Sequence, residues 1–112
     1  MAETGNPNVL TIYRGRYAIP ASDGQDHYCM LSCVNDVIFC GNYTASPTGD
    51  ICTLPYELRP EDAISFPCYT ADDLLCQVKV NRLGEVTCDR PNKDIMLRGM
   101  SFNISCNYYA GA

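Results

Sequence analysis

The sequence predicts an all-β fold, namely a single antiparallel β-sandwich or a jelly-roll-like barrel of about eight short strands. Three features indicate this. Apolar and polar residues alternate with a period of two in several segments, which is the pattern of a half-buried strand. The 7 prolines belong at strand starts, edges or turns, because proline cannot donate to a β-ladder. Turn signals recur at regular spacing, as they do in sandwiches and barrels.

The chain is expected to begin with an arm and to continue as one domain. Residues 1–8 are rich in turn formers and poor in apolar residues, which predicts a flexible or partner-bound N-terminal arm. The predicted β-sandwich domain spans 9–112. It opens with two short strand candidates around Gly15, within 9–19, and a turn-rich loop over 20–26 follows.

The next segment, 28–40, is apolar enough for buried strands. We expect strands over 30–34 and 37–40, with Asn35-Asp36 as the tight turn between them. A helix is the competing interpretation. The β-branched and aromatic residues of the segment favour strands.

Residues 41–50 form the longest polar loop of the sequence. A rigid β-scaffold commonly presents its contact residues on loops of this kind. Any contact with a ligand or partner is therefore expected to involve Asn42, Tyr43, Thr44 and Asp50. Tyr43 is the tyrosine best placed to be exposed.

The second half of the chain has the most regular strand pattern. Cys76, Val78 and Val80 alternate with polar residues over 76–81. Gly84 can take the positive φ that a tight hairpin loop requires, and the next strand resumes the same phase. The pattern therefore predicts a β-hairpin here.

The last predicted strand spans 100–108, where apolar and polar residues alternate over nine positions. Slipping its register by one residue would exchange its two faces completely. The strand is therefore expected to be tightly placed and central to a sheet.

An ordered set of short motifs runs through the C-terminal half, about 54–106. It consists of Leu54-Pro55, Arg59-Pro60, Ile64-x-Phe66-Pro67, Val78-x-Val80, Gly84-x-Val86 and Leu97-x-Gly99-x-Ser101-Phe102. The set resembles a β-rich module of tailed-bacteriophage virion proteins. That module recurs in tail fibres, receptor-binding and baseplate-associated proteins, and head fibres or capsid-surface proteins, commonly as trimers. The chain departs from it by having Glu57-Leu58 in place of a Gly-Tyr type pair and by its many cysteines.

The composition excludes two classes of partner. The formal net charge is −5 and the basic residues are scattered, whereas nucleic-acid binding needs a concentrated basic surface. No apolar run approaches the roughly 20 residues of a membrane span. The N-terminal residues are acidic and polar, so no signal peptide is predicted.

Eight cysteines in a short chain allow three interpretations. A disulfide framework is typical of small secreted domains, but no secretory context is predicted. Cys68, Cys76, Cys88 and Cys106 lie on the apolar phase of their strands, where free cysteine packs as a small hydrophobe. Reduced core thiols are therefore favoured over disulfides, and a metal site is the third interpretation.

No group of residues predicts catalysis. His27, the only histidine, is expected in a solvent-exposed loop. The alternative, a catalytic pair of His27 as base and Cys29 as nucleophile, has little support in the sequence. Cys29-x-x-x-Cys33 lacks the Cys-x-x-Cys spacing of zinc sites. Adjacent acidic residues are typical of solvated loops; they are Glu61-Asp62 and Asp72-Asp73. The chain is therefore predicted to be no enzyme, with no metal and no cofactor.

The resemblance implies a structural protein of the phage virion surface, most simply a capsid decoration or head-fibre protein. It also implies a homotrimer that binds the major capsid protein or another virion protein. The chain is expected to be a complete small protein, made in the host cytoplasm and located on the capsid. The alternative is a receptor- or glycan-binding module of a tail fibre or adhesin. The eight tyrosines suit either interfaces or sugar stacking, and a small secreted cysteine-rich domain is a third hypothesis.

Overall fold

The computed structural model describes residues 13–105. This part of the chain is all-β and antiparallel, which confirms the predicted fold class. It contains ten strands, two more than expected, and two of them have only two residues. The strands are β1 Tyr13–Ile19, β2 His27–Ser32, β3 Asp36–Phe39, β4 Tyr43–Thr44, β5 Asp50–Thr53, β6 Ile64–Tyr69, β7 Leu75–Val80, β8 Glu85–Cys88, β9 Asp94–Ile95 and β10 Ser101–Asn103. One 3₁₀ turn spans Tyr56–Leu58.

The strands form two four-stranded sheets and one two-stranded ribbon. The first sheet has the order β1-β2-β3-β10 and the second has the order β5-β8-β7-β6, while β4 pairs with β9. Side chains from all three meet in one apolar core, as expected of a small β-sandwich. Its most deeply buried members include Val37, Phe39, Tyr43, Ile51, Leu54, Leu58, Val78, Val80, Ile95 and Leu97. No helix in residues 13–105 is long and apolar enough to cross a membrane.

The N-terminal strand differs from its prediction. Where two short strands were expected, β1 runs through Gly15 and pairs with β2 from Tyr13 to Ile19, with a register irregularity between Tyr13 and Gly15. A local bulge of this kind shifts the pairing of a strand without ending it. The predicted arm, 1–8, and the start of the first strand candidate lie outside the described residues.

The turn predicted at Asn35-Asp36 is confirmed to within a residue. Asn35 has φ +69° and its amide donates to the Ser32 carbonyl at 3.1 Å, so β2 and β3 form a hairpin. The Ser32 hydroxyl accepts a second hydrogen bond at 3.0 Å from the Asp36 amide. Asparagine tolerates this left-handed conformation better than most residues, which explains its position here.

The hairpin predicted around Gly84 is also confirmed. β7 and β8 pair antiparallel, and Gly84 has φ +82°. Its amide donates to the Asn81 carbonyl at 3.0 Å, and its carbonyl accepts from Leu54 at 2.8 Å. The turn therefore packs directly against the segment that follows β5.

The last strand is shorter than predicted and lies at an edge. β10 has three residues and pairs only with β3 in the described part of the chain. The chain turns after Asn103, whose side-chain oxygen accepts from the Ser105 amide at 3.1 Å while its NH₂ donates to the Val34 carbonyl at 2.8 Å. Local bonds of this kind compete with a continuing strand. Residues 106–108 of the predicted strand, including Cys106, lie outside the described residues.

Candidate functional site

The four predicted contact residues do not form a single exposed site. Tyr43 is only 1% exposed, because it lies in β4 and points into the core, so its predicted exposure is wrong. Asn42, Thr44 and Asp50 are exposed. The buried Tyr43 therefore separates Asn42 from Thr44 and Asp50 along the segment 41–50.

The three exposed members already make bonds within the chain. Asn42 accepts from the Arg98 amide at 2.9 Å, and the Thr44 hydroxyl donates to Asp94 at 2.7 Å. Asp50 accepts from the Thr48 hydroxyl at 2.8 Å. These bonds fix local turns and the β4–β9 ribbon, so the structure gives the three side chains a structural role.

Tyr43 is the centre of an aromatic cluster. Its ring stacks on the His27 imidazole at a centroid distance of 3.8 Å and an interplanar angle of 18°. The Phe39 ring meets it edge-on at 5.9 Å. The Tyr43 hydroxyl lies 4.0 Å from the Cys29 sulfur. A tyrosine packed on three sides in this way contributes mainly to the core.

His27 is not the solvent-exposed loop residue that was predicted. It begins β2, and its side chain is only 8% exposed. Its Nε2 lies 3.0 Å from Asp23 Oδ2, so its partner is four residues back in the chain. The spacing of an acid four residues before the histidine is the sequence signal that could have indicated this pair.

The Asp23 carboxylate joins three segments. Besides His27 it accepts hydrogen bonds from the Gln25 amide at 2.9 Å and the Thr44 amide at 3.0 Å. Burial alone would raise the pKa of Asp23, but the hydrogen bonds from Thr44, Gln25 and His27 outweigh burial and lower it. The carboxylate is thus held ionised as an acceptor for its neighbours.

The cysteines near this cluster are not activated nucleophiles. Burial raises the pKa of the Cys29 thiol to about 12, and it also raises that of Cys52. Reactive cysteines have a lowered pKa and an electropositive, partly exposed environment. The pKa shift of Cys29 is thus opposite in direction to that of an activated nucleophile.

The seven cysteines within 13–105 are free thiols. Cys68 and Cys76 are buried on the core face of their strands, as their phase predicted, and Cys88 is partly buried. Cys33 and Cys40 are exposed. In the same part of the chain, no three His, Cys, Asp or Glu residues are arranged to hold a metal ion.

The first of two surface features missed from the sequence is a depression beside the 3₁₀ turn. Tyr56 is 80% exposed there, and the Arg59 guanidinium lies 5.9 Å from its ring centroid. The adjoining open cavity has a volume of about 840 Å³ and is also lined by Glu61, Asp62 and Arg82. An exposed ring with polar groups of both charges around it can contact a polar ligand.

The second feature is an apolar patch on the hairpin of β6 and β7. Tyr69 and Leu75 face each other across the two strands and are 57% and 55% exposed. Met96, also exposed, donates its amide to the Tyr69 carbonyl at 2.9 Å. We call Tyr69, Leu75 and Met96 the hairpin patch. Its sequence signal is a pair of large apolar residues at strand positions where the alternation calls for polar ones.

No family model, curated protein or solved structure matches this chain.

Proposed function

We propose that this protein is a structural component of the surface of a tailed-phage particle, as a capsid decoration or head-fibre protein. It assembles as a homotrimer and binds the major capsid protein or another virion protein. It is made in the host cytoplasm and is located on the capsid. Its work is to cover and hold neighbouring subunits by burying apolar surface.

The hairpin patch is the observation that carries this proposal. Single exposed apolar residues are ordinary on any protein, but adjacent large ones mark contact surfaces. Tyr69 and Leu75 lie side by side on β6 and β7, and β6 is the outer strand of its sheet in the described residues. An outer strand that exposes large apolar side chains at one end is a natural place for a second protein to cover.

The motif resemblance supports the same proposal. The apolar positions of the motifs, such as Leu54, Val78, Val80, Val86 and Leu97, are buried core residues. Burial raises the pKa of the Cys29 and Cys52 thiols, which suits core packing.

Light scattering on the purified chain tests the assembly. A trimer of the 12.4 kDa chain has a mass of about 37 kDa, three times that of one copy. Leu75→Asp places a charge in the hairpin patch and is expected to give monomers. Leu83→Asp is the matched control, because Leu83 is 64% exposed in the turn that follows β7, away from the hairpin patch. A monomeric wild type, or equal effects of the two variants, would contradict the proposed interface.

Immunogold electron microscopy tests the location. Tailed particles isolated from cells that make this chain are labelled with an antibody against it. We expect gold particles on the capsid in many copies. Particles that carry no label, with the protein remaining in the cell extract, would rule out a virion component.

The second candidate function is recognition of a host-surface glycan, and the depression beside Tyr56 favours it. Tyrosine rings stack on sugar faces while nearby charged groups bind hydroxyls. Tyr56→Ala is expected to abolish any glycan-array signal of the wild type, and Tyr69→Ala to leave it intact. No signal from the wild type on the array would exclude this candidate.

A further inference from the structure

Cys68 and Cys76 face each other directly across the hairpin of β6 and β7. Both side chains are buried on the core side of the sheet. The Cys68 thiol donates a hydrogen bond to the Met96 carbonyl at 3.1 Å. Two thiols on adjacent strands, in register and on one face, are arranged to react with each other.

The backbone spacing fits a disulfide. The Thr70 amide donates to the Leu74 carbonyl at 2.9 Å, and pairs that exchange such bonds alternate along an antiparallel ladder. Cys68 and Cys76, two residues further along each strand, therefore form a hydrogen-bonded pair with Cα atoms about 5.5 Å apart. Disulfides span Cα separations of about 4.4–6.8 Å, a range that includes this spacing.

Other cysteines are less well placed. Cys88 in β8 pairs with Val78, so it lies diagonally from Cys76. Diagonal neighbours are about 7–8 Å apart, beyond the usual disulfide range. Cys29 and Cys52 belong to different sheets, and stacked sheets lie about 10 Å apart. Among the strand cysteines of residues 13–105, the register thus places only Cys68 and Cys76 directly opposite each other.

We propose that Cys68 and Cys76 form a site of oxidation that is converted to an intrachain disulfide by a low-molecular-weight disulfide such as oxidised glutathione. The Cys68 thiol loses its proton to solvent, and the thiolate attacks one sulfur of the oxidant. One thiol leaves, and a mixed disulfide remains. The Cys76 thiolate then attacks the Cys68 sulfur and displaces the second thiol. The protein loses two hydrogens, and the oxidant is reduced to two thiols.

Cys68 reacts first because it is on the outer strand, where local opening of the sheet is least costly. Burial raises the pKa of Cys68, and burial together with the neighbouring Cys68 thiolate raises that of Cys76 to about 11. Since the thiolate is the nucleophile, the rate of the first step is expected to rise with pH between 7 and 9. The first step is therefore slow at neutral pH.

The disulfide fixes the end of the hairpin that carries Tyr69 and Leu75, which follow Cys68 and precede Cys76. It therefore holds two members of the hairpin patch at a constant spacing. The bond requires only the strand register. Its formation does not depend on whether the patch binds another copy of the chain.

The experiment is disulfide mapping of the whole chain. Purified protein is incubated with oxidised glutathione at pH 8, quenched, alkylated and digested with Asp-N protease and trypsin. Cleavage before Asp62, Asp72 and Asp73 and after Lys79 and Arg82 separates Cys68, Cys76 and Cys88 into the peptides 62–71, 73–79 and 83–88. We expect 62–71 joined to 73–79, with two hydrogens lost.

Two variants complete the test. Cys88→Ser is expected to keep the linkage, whereas Cys76→Ser is expected to leave Cys68 as a glutathione adduct or an alkylated thiol. Near-ultraviolet circular dichroism of each variant shows whether it has folded. A linkage of either peptide to 83–88, a stable glutathione adduct in the wild type, or complete alkylation of both thiols at equilibrium would overturn the proposal.

Discussion

Asp23, His27 and Tyr43 join three separate segments at the residue scale. Asp23 comes from the loop before β2, His27 begins β2, and Tyr43 lies in β4. The carboxylate accepts from His27 and from the Thr44 amide, while the His27 ring stacks on Tyr43. The hydrogen bond to Asp23 fixes the orientation of the His27 ring, and the His27 ring in turn packs against the Tyr43 ring. The cluster therefore holds the loop before β2 and the two-residue strand β4 against the start of β2.

Tyr43→Ala is expected to destabilise the protein by about 3–5 kcal/mol, because it removes a fully buried ring and leaves a cavity. Tyr43→Phe should cost about 1 kcal/mol or less, since the hydroxyl has only a long contact with the Cys29 sulfur. Urea unfolding followed by circular dichroism measures both. Tyr56→Ala is the control and should change stability by less than about 0.5 kcal/mol. Equal losses for Tyr43→Ala and Tyr56→Ala would place Tyr43 at the surface.

Asp23→Asn is expected to lower stability at pH 7 by about 1–3 kcal/mol, because a charged acceptor of several hydrogen bonds is lost. The pKa of Asp23 is lower in the folded protein than in the unfolded chain. Its contribution is therefore complete above about pH 4, the unfolded value, and disappears as the pH falls through the folded value. Urea unfolding between pH 2 and 7 measures this.

The variant should lose less stability than the wild type as the pH falls below about 4. Asp62→Asn, on an exposed residue, serves as the control. Parallel pH curves for the wild type and Asp23→Asn would show that the carboxylate does not stabilise the fold.

At the scale of elements, the turn of the β7–β8 hairpin is fixed against the segment after β5. A Cβ atom on Gly84 would lie 2.7 Å from the Leu54 carbonyl oxygen, whereas Gly99, with a similar φ of +84°, has open space around it. Gly84→Ala therefore has two unfavourable effects: an alanine must adopt a positive φ, and its Cβ collides with the Leu54 carbonyl oxygen. Gly99→Ala has only the first effect, the positive φ.

Gly99→Ala is expected to lower stability by about 1–2 kcal/mol, the cost of a left-handed conformation for a residue with a Cβ. Gly84→Ala should cost at least about 1 kcal/mol more, since Leu54 must move or its bond to the Gly84 carbonyl must lengthen. Thermal unfolding of the two variants gives the comparison. If they unfold at the same temperature, the turn is not packed on Leu54.

Alternation in the sequence predicted which side of a strand is buried, and it did so well for β7 and β8. It could not predict whether a strand has one neighbour or two. For this reason β10 was expected to be central, whereas it lies at the edge of its sheet in residues 13–105. Tyr43 was missed because a two-residue strand has no periodicity. Its partner Ile95 is distant in sequence, and only folding brings the two together.

At the scale of the whole molecule, the hairpin patch links folding to assembly. Anything that binds the folded chain and not the unfolded one raises the apparent stability by mass action. In a trimer, each folded chain is bound and stabilised by the two other copies. The melting temperature should therefore rise with protein concentration.

For a trimer that unfolds to three chains, the equilibrium constant at the midpoint scales with the square of the concentration. A tenfold increase then adds about 0.9 kcal/mol per chain, which raises the melting temperature by about 4 °C for a chain of 112 residues. Calorimetry over a hundredfold range of concentration measures it. Leu75→Asp should melt at one temperature throughout, while Leu83→Asp should keep the wild-type slope. A wild type that melts at the same temperature at every concentration would show that the chain folds as a monomer, so the patch would need a different partner.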